Sequence, residues 1–183
     1  MRSMKPDERS PLIDEQAARL FERDEDVERA KNVAFRLLAA RPRSRNELVQ
    51  RLRGKHFQKT TIEGAVEALV RLGMLDDRAF AQGWVEHRLN ARPTGRKALE
   101  RELRDKGVAS DVAVQVLDEM FAGRDPGEEA LSLLRTRERQ YRGLDRQKAM
   151  SRMYGLLGRR GFDAEAARAA AQKMWREIER DAG

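Results

Sequence analysis

The chain has 183 residues and no cysteine; 40% of its side chains are apolar and 38% charged, and 38 Lys and Arg against 31 Asp and Glu give a net charge of +7. Disulfide frameworks and thiolate chemistry are excluded, which fits a reducing compartment. The basic balance points to a polyanionic partner, and the charge density suits a thin helical protein with much surface per residue.

Residues 1–25 hold five basic and seven acidic side chains and show no clear apolar period before Leu20 and Phe21. They are expected to form a mobile N-terminal tail. Arg2 and Lys5 are not followed by an apolar segment, so no signal peptide is expected. No apolar run approaches the roughly 20 residues of a spanning helix, and the expected location is cytoplasmic.

From residue 26 the chain reads as helices that repeat three times. In the first copy, 26–75, a helix is expected from about Asp26 to Ala40 on Val33, Phe35, Leu37 and Leu38, and Pro42 sits in the link after it. Ser44-Arg-Asn-Glu47 and Thr60-Thr-Ile-Glu63 read as capping boxes that open the second and third helices. Leu48 and Leu52 stand one turn apart on the second helix. Ile62, Ala65, Val66, Leu69 and Val70 line the third.

The second copy, 76–123, opens after Asp76-Asp77 with Phe80, Ala81, Trp84, Val85 and Leu89 at helical spacing. Pro93 marks its link, Leu99 and Leu103 its second helix, and Val112, Ala113, Val116, Leu117 and Met120 its third. The third copy, 126–181, opens at Pro126-Gly127 with Ala130, Leu131, Leu133 and Leu134. Met153 and Leu157 follow, then Ala166, Ala167, Ala170, Ala171 and Met174.

The register is set by Leu52-Arg-Gly-Lys-His-Phe57, Leu103-Arg-Asp-Lys-Gly-Val108 and Leu157-Gly-Arg-Arg-Gly-Phe162, which lie 51 and 54 residues apart. Gly107 and Gly161 close their turns in the left-handed region; His56 holds that place in the first copy, at some strain or with a different turn. Strand signals are absent. The expected fold is all-α: three tandem three-helix repeats in an elongated, curved array, with neighbours leaning on one another because each unit alone buries little surface. Phe35, Phe80, Trp84, Phe162 and Trp175 are read as packing residues.

Charge is sorted by helix. Stretches 41–59, 88–106 and 135–160, around the second helices, carry net charges of +6, +4 and +7. The third-helix stretches 60–77 and 108–129 carry −3 and −5, while 163–183 is near balance. Stacked in register, the second helices would present a basic stripe of Arg43, Arg45, Arg51, Arg53, Arg96, Lys97, Arg101, Arg104, Arg146, Lys148, Arg152, Arg159 and Arg160. Arginine suits planar, bidentate contacts to phosphate or carboxylate. The plainer alternative is a solvated face with intrahelical pairs such as Glu100 with Arg104.

The chain offers no catalytic constellation. His56 and His87 are not at metal-ligand spacing, and no carboxylates cluster for a metal. Asp76-Asp77 suits a helix start better than acid–base work. Gly155, Gly158 and Gly161 follow no strand, so no phosphate-cradling loop is formed. No enzymatic activity, metal or cofactor is expected.

Leu69, Gly73-Met-Leu-Asp76-Asp77, Phe80-Ala81, Trp84 and Arg88, then Gly95, Leu99, Glu102-Leu103 and Lys106-Gly107-Val108, resemble the central signature of the RecX family, bacterial regulators of RecA recombinase. Ser44, Glu47-Leu48 and Leu157 with Arg160-Gly161-Phe162 are similar to the outer copies; His56 departs from the expected glycine. The resemblance covers about Val27 to Glu179. It implies tandem three-helix repeats and a negative modulator of recombination, within DNA repair and the SOS response. Such a protein lies in the groove of the RecA–DNA filament and opposes ATP hydrolysis, strand exchange and filament growth. The implied partners are the RecA filament and single- or double-stranded DNA, bound by a monomer.

Two rivals are a DNA-binding transcriptional regulator of the winged-helix kind, for which Ser44 to Asp77 alone would pass, and a purely protein-binding helical scaffold. Glu63 and Glu67 on the would-be recognition helix suit phosphates poorly. A scaffold would show no affinity for DNA at low salt.

Overall fold

A computed structural model describes the backbone of residues 11–182 and the side chains of residues 24–181. Every regular element among them is helical: α1 (Pro11–Ala40), α2 (Arg45–Arg53), α3 (Lys59–Arg71), α4 (Asp77–Ala91), α5 (Arg96–Asp105), α6 (Ser110–Phe121), α7 (Pro126–Arg135), a 3-10 turn η1 (Glu138–Gln140), α8 (Arg146–Arg159) and α9 (Ala164–Ala182). The chain divides after Asp76 into two compact units. The first holds α1–α3; the second holds the other two repeats.

The first helix begins at Pro11, not near Asp26. Residues 11–25 were expected in the tail because they lack an apolar period. They are, however, rich in Ala, Leu, Glu, Gln and Arg, and proline at the first helical position is already shaped for a helix. The rest of the expected tail, 1–10, lies outside the described residues.

Each repeat has its own core. In the first unit Leu48, Leu52, Ile62, Val66, Leu69 and Leu75 cluster around Ala34. The helix α1 contributes its small residues, with Ala30 and Ala34 fully buried, while Val33, Phe35, Leu37 and Leu38 pack only partly. That face lies close to α3: a Cβ placed on Gly64 would come within 3.2 Å of Val27 Cγ2. In the second unit Phe80, Val85, Leu99, Leu103, Val108, Val116 and Leu117 form one cluster. Leu131, Leu134, Met153, Leu157, Phe162, Ala170, Ala171 and Met174 belong to another. Trp84 and Trp175 pack at the edges of these two clusters.

Helix starts differ in how they are capped. Ser44 caps α2 as expected, its hydroxyl accepting from the Glu47 N–H at 3.1 Å. Thr60 does not cap α3: the cap position falls two residues earlier, at Gln58, with no side-chain cap. Asp145 caps α8. Gly107 and Gly161 take φ of 73° and 78°, and His56 takes φ 65°. A side chain in that region costs about 1–2 kcal/mol relative to glycine.

Candidate nucleic-acid interface

The second helix of each repeat begins at a link and buries two aliphatic residues one turn apart, which turns the intervening basic residues outward. On α2, Arg45, Arg51 and Arg53 are exposed. Arg45 and Arg53 border a groove of about 330 Å³ whose floor includes Val49, Ile62 and Val66. On α5, Lys97, Arg101 and Arg104 are exposed; Arg104 reaches Glu100 only at 4.0 Å. Arg96 is spent on Asp118, at 2.7 Å. On α8, Arg146, Lys148, Arg152 and Arg159 are exposed, with Lys148 paired to Asp145 at 3.1 Å. The Lys148 amide and ammonium together hold the Asp145 carboxyl below its usual range.

Two members of the expected stripe do other work. Arg43 is half-buried, and its Nε donates to the Leu37 carbonyl at 3.0 Å, tying the link to the end of α1. Its Nη1 is buried without a hydrogen-bond partner. Burial, then Arg41 and Arg51, lower its pKa. Arg160 leans back on the preceding repeat, its Nη1 donating to the Pro93 carbonyl at 3.2 Å. Sequence position alone did not separate these two from their exposed neighbours.

That contact belongs to a joint between the two repeats of the second unit. The Gly95 N–H donates to Arg160 O at 2.8 Å and the Lys97 N–H to Gly161 O at 3.2 Å. Gly95 occupies the position where Ser44 and Asp145 cap their helices. It has no side chain to cap with; the Gly161 carbonyl of the next repeat satisfies the second N–H of α5 instead. Two backbone bonds and the Arg160 side chain make the joint, and the two apolar clusters stay separate.

The residues of the central motif form a tie between α4 and α5. Glu102 accepts from Trp84 Nε1 at 2.9 Å and from both Nε and Nη2 of Arg88, at 2.8 and 2.5 Å. Lys106 Nζ sits 4.2 Å from the centre of the Trp84 ring. Burial alone would raise the Glu102 pKa, but the bonds from Arg88 and Trp84 outweigh it and hold the carboxyl below its ordinary value. A carboxyl lowered by folding contributes stability that is fully present above the unfolded-state value, about 4.3, and is lost as pH falls through the folded-state value. Glu102→Gln is therefore expected to destabilise the protein at neutral pH, with the gap to the parent closing on acidification. Urea midpoints measured against pH check this; a gap that is constant with pH would mean the tie is not ionic.

No arrangement of the winged-helix kind emerges among the described residues: Glu63 and Glu67 are exposed on α3, and no strand follows it. His56 and His87 are both exposed and lie in different units. No helix among the described residues is long and apolar enough to cross a membrane.

Comparison with known proteins places this architecture. Family models described as the first and second three-helix domains of RecX match residues 30–69 and 76–117. The regulatory protein RecX of Streptomyces coelicolor is 38% identical over 157 residues, covering 84% of this chain and 81% of its own. That of Chlorobium phaeobacteroides is 31% identical over 153 residues, covering 84% and 98%. The crystal structure of RecX from Lactobacillus salivarius superposes with a TM-score of 0.72 at 18% identity, over 85% of this chain and 98% of that one.

Proposed function

The chain belongs to the RecX family of regulatory proteins, and from that premise we propose that it is a negative modulator of RecA recombinase, acting by binding alone. It lies in the groove of the RecA–DNA filament and inhibits ATP hydrolysis, strand exchange and filament growth. It works in the cytoplasm as a monomer, without cofactor or metal. The observation that carries this reading is the recurrence of exposed Lys and Arg on α2, α5 and α8, the same helix of each repeat. A solvated face would gain little from repeating that bias three times, whereas a protein following a long polyanionic filament needs it at every step. Arg45, Arg51, Arg53, Lys97, Arg101, Arg104, Arg146, Lys148, Arg152 and Arg159 are the contact residues of this reading. Arg43 and Arg160 brace the links beside them, and Arg96 is held by Asp118.

Added to RecA on single-stranded DNA, the protein is expected to lower ATP turnover and strand exchange while hydrolysing nothing alone. RecA turnover that stays unchanged at saturating protein would refute the modulator reading.

A further inference from the structure

Between η1 and the middle of α8 lies a recess of about 420 Å³ lined by Arg137, Gln140, Ser151, Arg152, Gly155 and Arg159. Three guanidinium groups border it, and no carboxylate does. None of the three has an ion-pair partner among the described residues, although such pairs are common elsewhere in this chain. Arg78 with Glu119, Arg88 with Glu102 and Arg135 with Glu177 each match one arginine to one carboxylate, through paired hydrogen bonds. More positive charge stands close by: the Arg160 guanidinium is destabilised first by burial and then by Arg92, Arg137 and Arg88.

Gly155 lines the recess beside Tyr141 and Leu156. Gly155 lies inside α8, where a side chain would favour the helix. A Cβ there would stand 3.2 Å from Arg159 Nη1. Its absence lets the Arg159 guanidinium lie against the helix surface on the same side of the recess as Arg152. Arg152 is held at the rim by the Gln140 carbonyl, at 3.5 Å.

We propose that this recess seats one phosphodiester group of a nucleic-acid strand. The proposal rests on the reading that the basic helices meet the filament, and it names what this part of them meets. A carboxylate can be met by one arginine through paired hydrogen bonds, as Glu177 is by Arg135. A phosphate group presents acceptors in several directions, which suits three guanidiniums approaching from different sides together with the Gln140 amide and the Ser151 hydroxyl.

The test is binding of the full chain to a labelled single-stranded oligonucleotide over a range of salt. Arg152→Gln is expected to weaken binding roughly tenfold, the scale of one lost charge-assisted hydrogen bond, and to reduce the salt slope by at most about 0.7, one phosphate's share. Because the three arginines share one phosphate, combining Arg137→Gln, Arg152→Gln and Arg159→Gln is expected to reduce the slope by no more than that. Gly155→Leu, which keeps every charge but fills the recess, should bind as weakly as Arg152→Gln. Gly155→Ala, which favours the helix, should fall between it and the parent. Arg168→Gln, exposed on α9 of the same unit, should bind like the parent.

A slope reduced by about 2 in the triple variant, with both Gly155 variants binding like the parent, would overturn the seat in favour of independent surface charges. Unchanged oligonucleotide binding with weakened binding to RecA filaments would overturn it in favour of protein carboxylates. RecA turnover in the presence of the parent protein is read separately, so failure of the modulator reading is distinguishable from failure of the seat.

Discussion

Gly161→Ala is expected to cost about 2–5 kcal/mol, from two sources that can be measured apart. The residue has φ 78°, and a Cβ there would collide with the backbone N and the Cβ of Ala98 in the neighbouring repeat. Gly95→Ala isolates the collision. Its φ of −75° suits any residue, but its Cβ would strike the Gly161 carbonyl and the Phe162 N. Gly123→Ala isolates the backbone strain, because its φ is 73° and nothing lies within 4 Å of its Cβ. Left-handed strain costs about 1–2 kcal/mol and overpacking about 1–3 kcal/mol, so urea unfolding should rank Gly161→Ala above either single-cause variant. The backbones meet directly, so no side chain can swing aside to relieve the contact. If Gly95→Ala unfolds like the parent, the joint is not a close backbone contact.

The repeat was legible because its signals are local. Leu52, Leu103 and Leu157 recur with their basic and glycine neighbours, and all three are fully buried. The left-handed turns at Gly107 and Gly161 follow from a short motif. What the sequence concealed depends on contacts between distant segments. Alanine is a weak hydrophobic signal, so Ala30 and Ala34 did not stand out, though their size is what lets α1 approach α3. Arg43 and Arg160 read as surface charges because burial at a link is decided by packing. One clue to the joint was visible: Gly95 stands where Ser44 and Asp145 cap their helices, and a missing cap asks for a partner. Arg137 carries no such signal in sequence because it lies between α7 and η1, outside the repeating second helix.

The motif residues divide in the same way. Trp84, Arg88, Glu102 and Lys106 mark the family in sequence, and in the structure they hold α4 to α5. Recognition of the family therefore came from residues that build the scaffold. The exposed arginines of the proposed interface carry little pattern of their own beyond their abundance.

Separate cores lead to the last expectation. Leu52, Leu103 and Leu157 are each fully buried in a different apolar cluster, so replacing any of them with Ala should cost about 2–5 kcal/mol. Where that cost appears should differ. Leu52 belongs to the unit that ends at Asp76, and its loss should lower amide-exchange protection on α2 and α3 while α4–α9 keep theirs. Leu103 and Leu157 share the other unit and are linked through the backbone bonds at Gly95 and Gly161. Either substitution should therefore lower protection in both repeats of that unit. Coupling through a backbone joint is weaker than coupling through a shared apolar core, so the mutated repeat should lose more protection than its neighbour. Measured against Gly95→Ala alone, adding Leu157→Ala should confine the further loss to α7–α9, because the joint that transmits it has been opened. Urea midpoints equal to the parent's would show that these leucines are not core residues, and equal loss of protection in all nine described helices would show one cooperative block in place of two units.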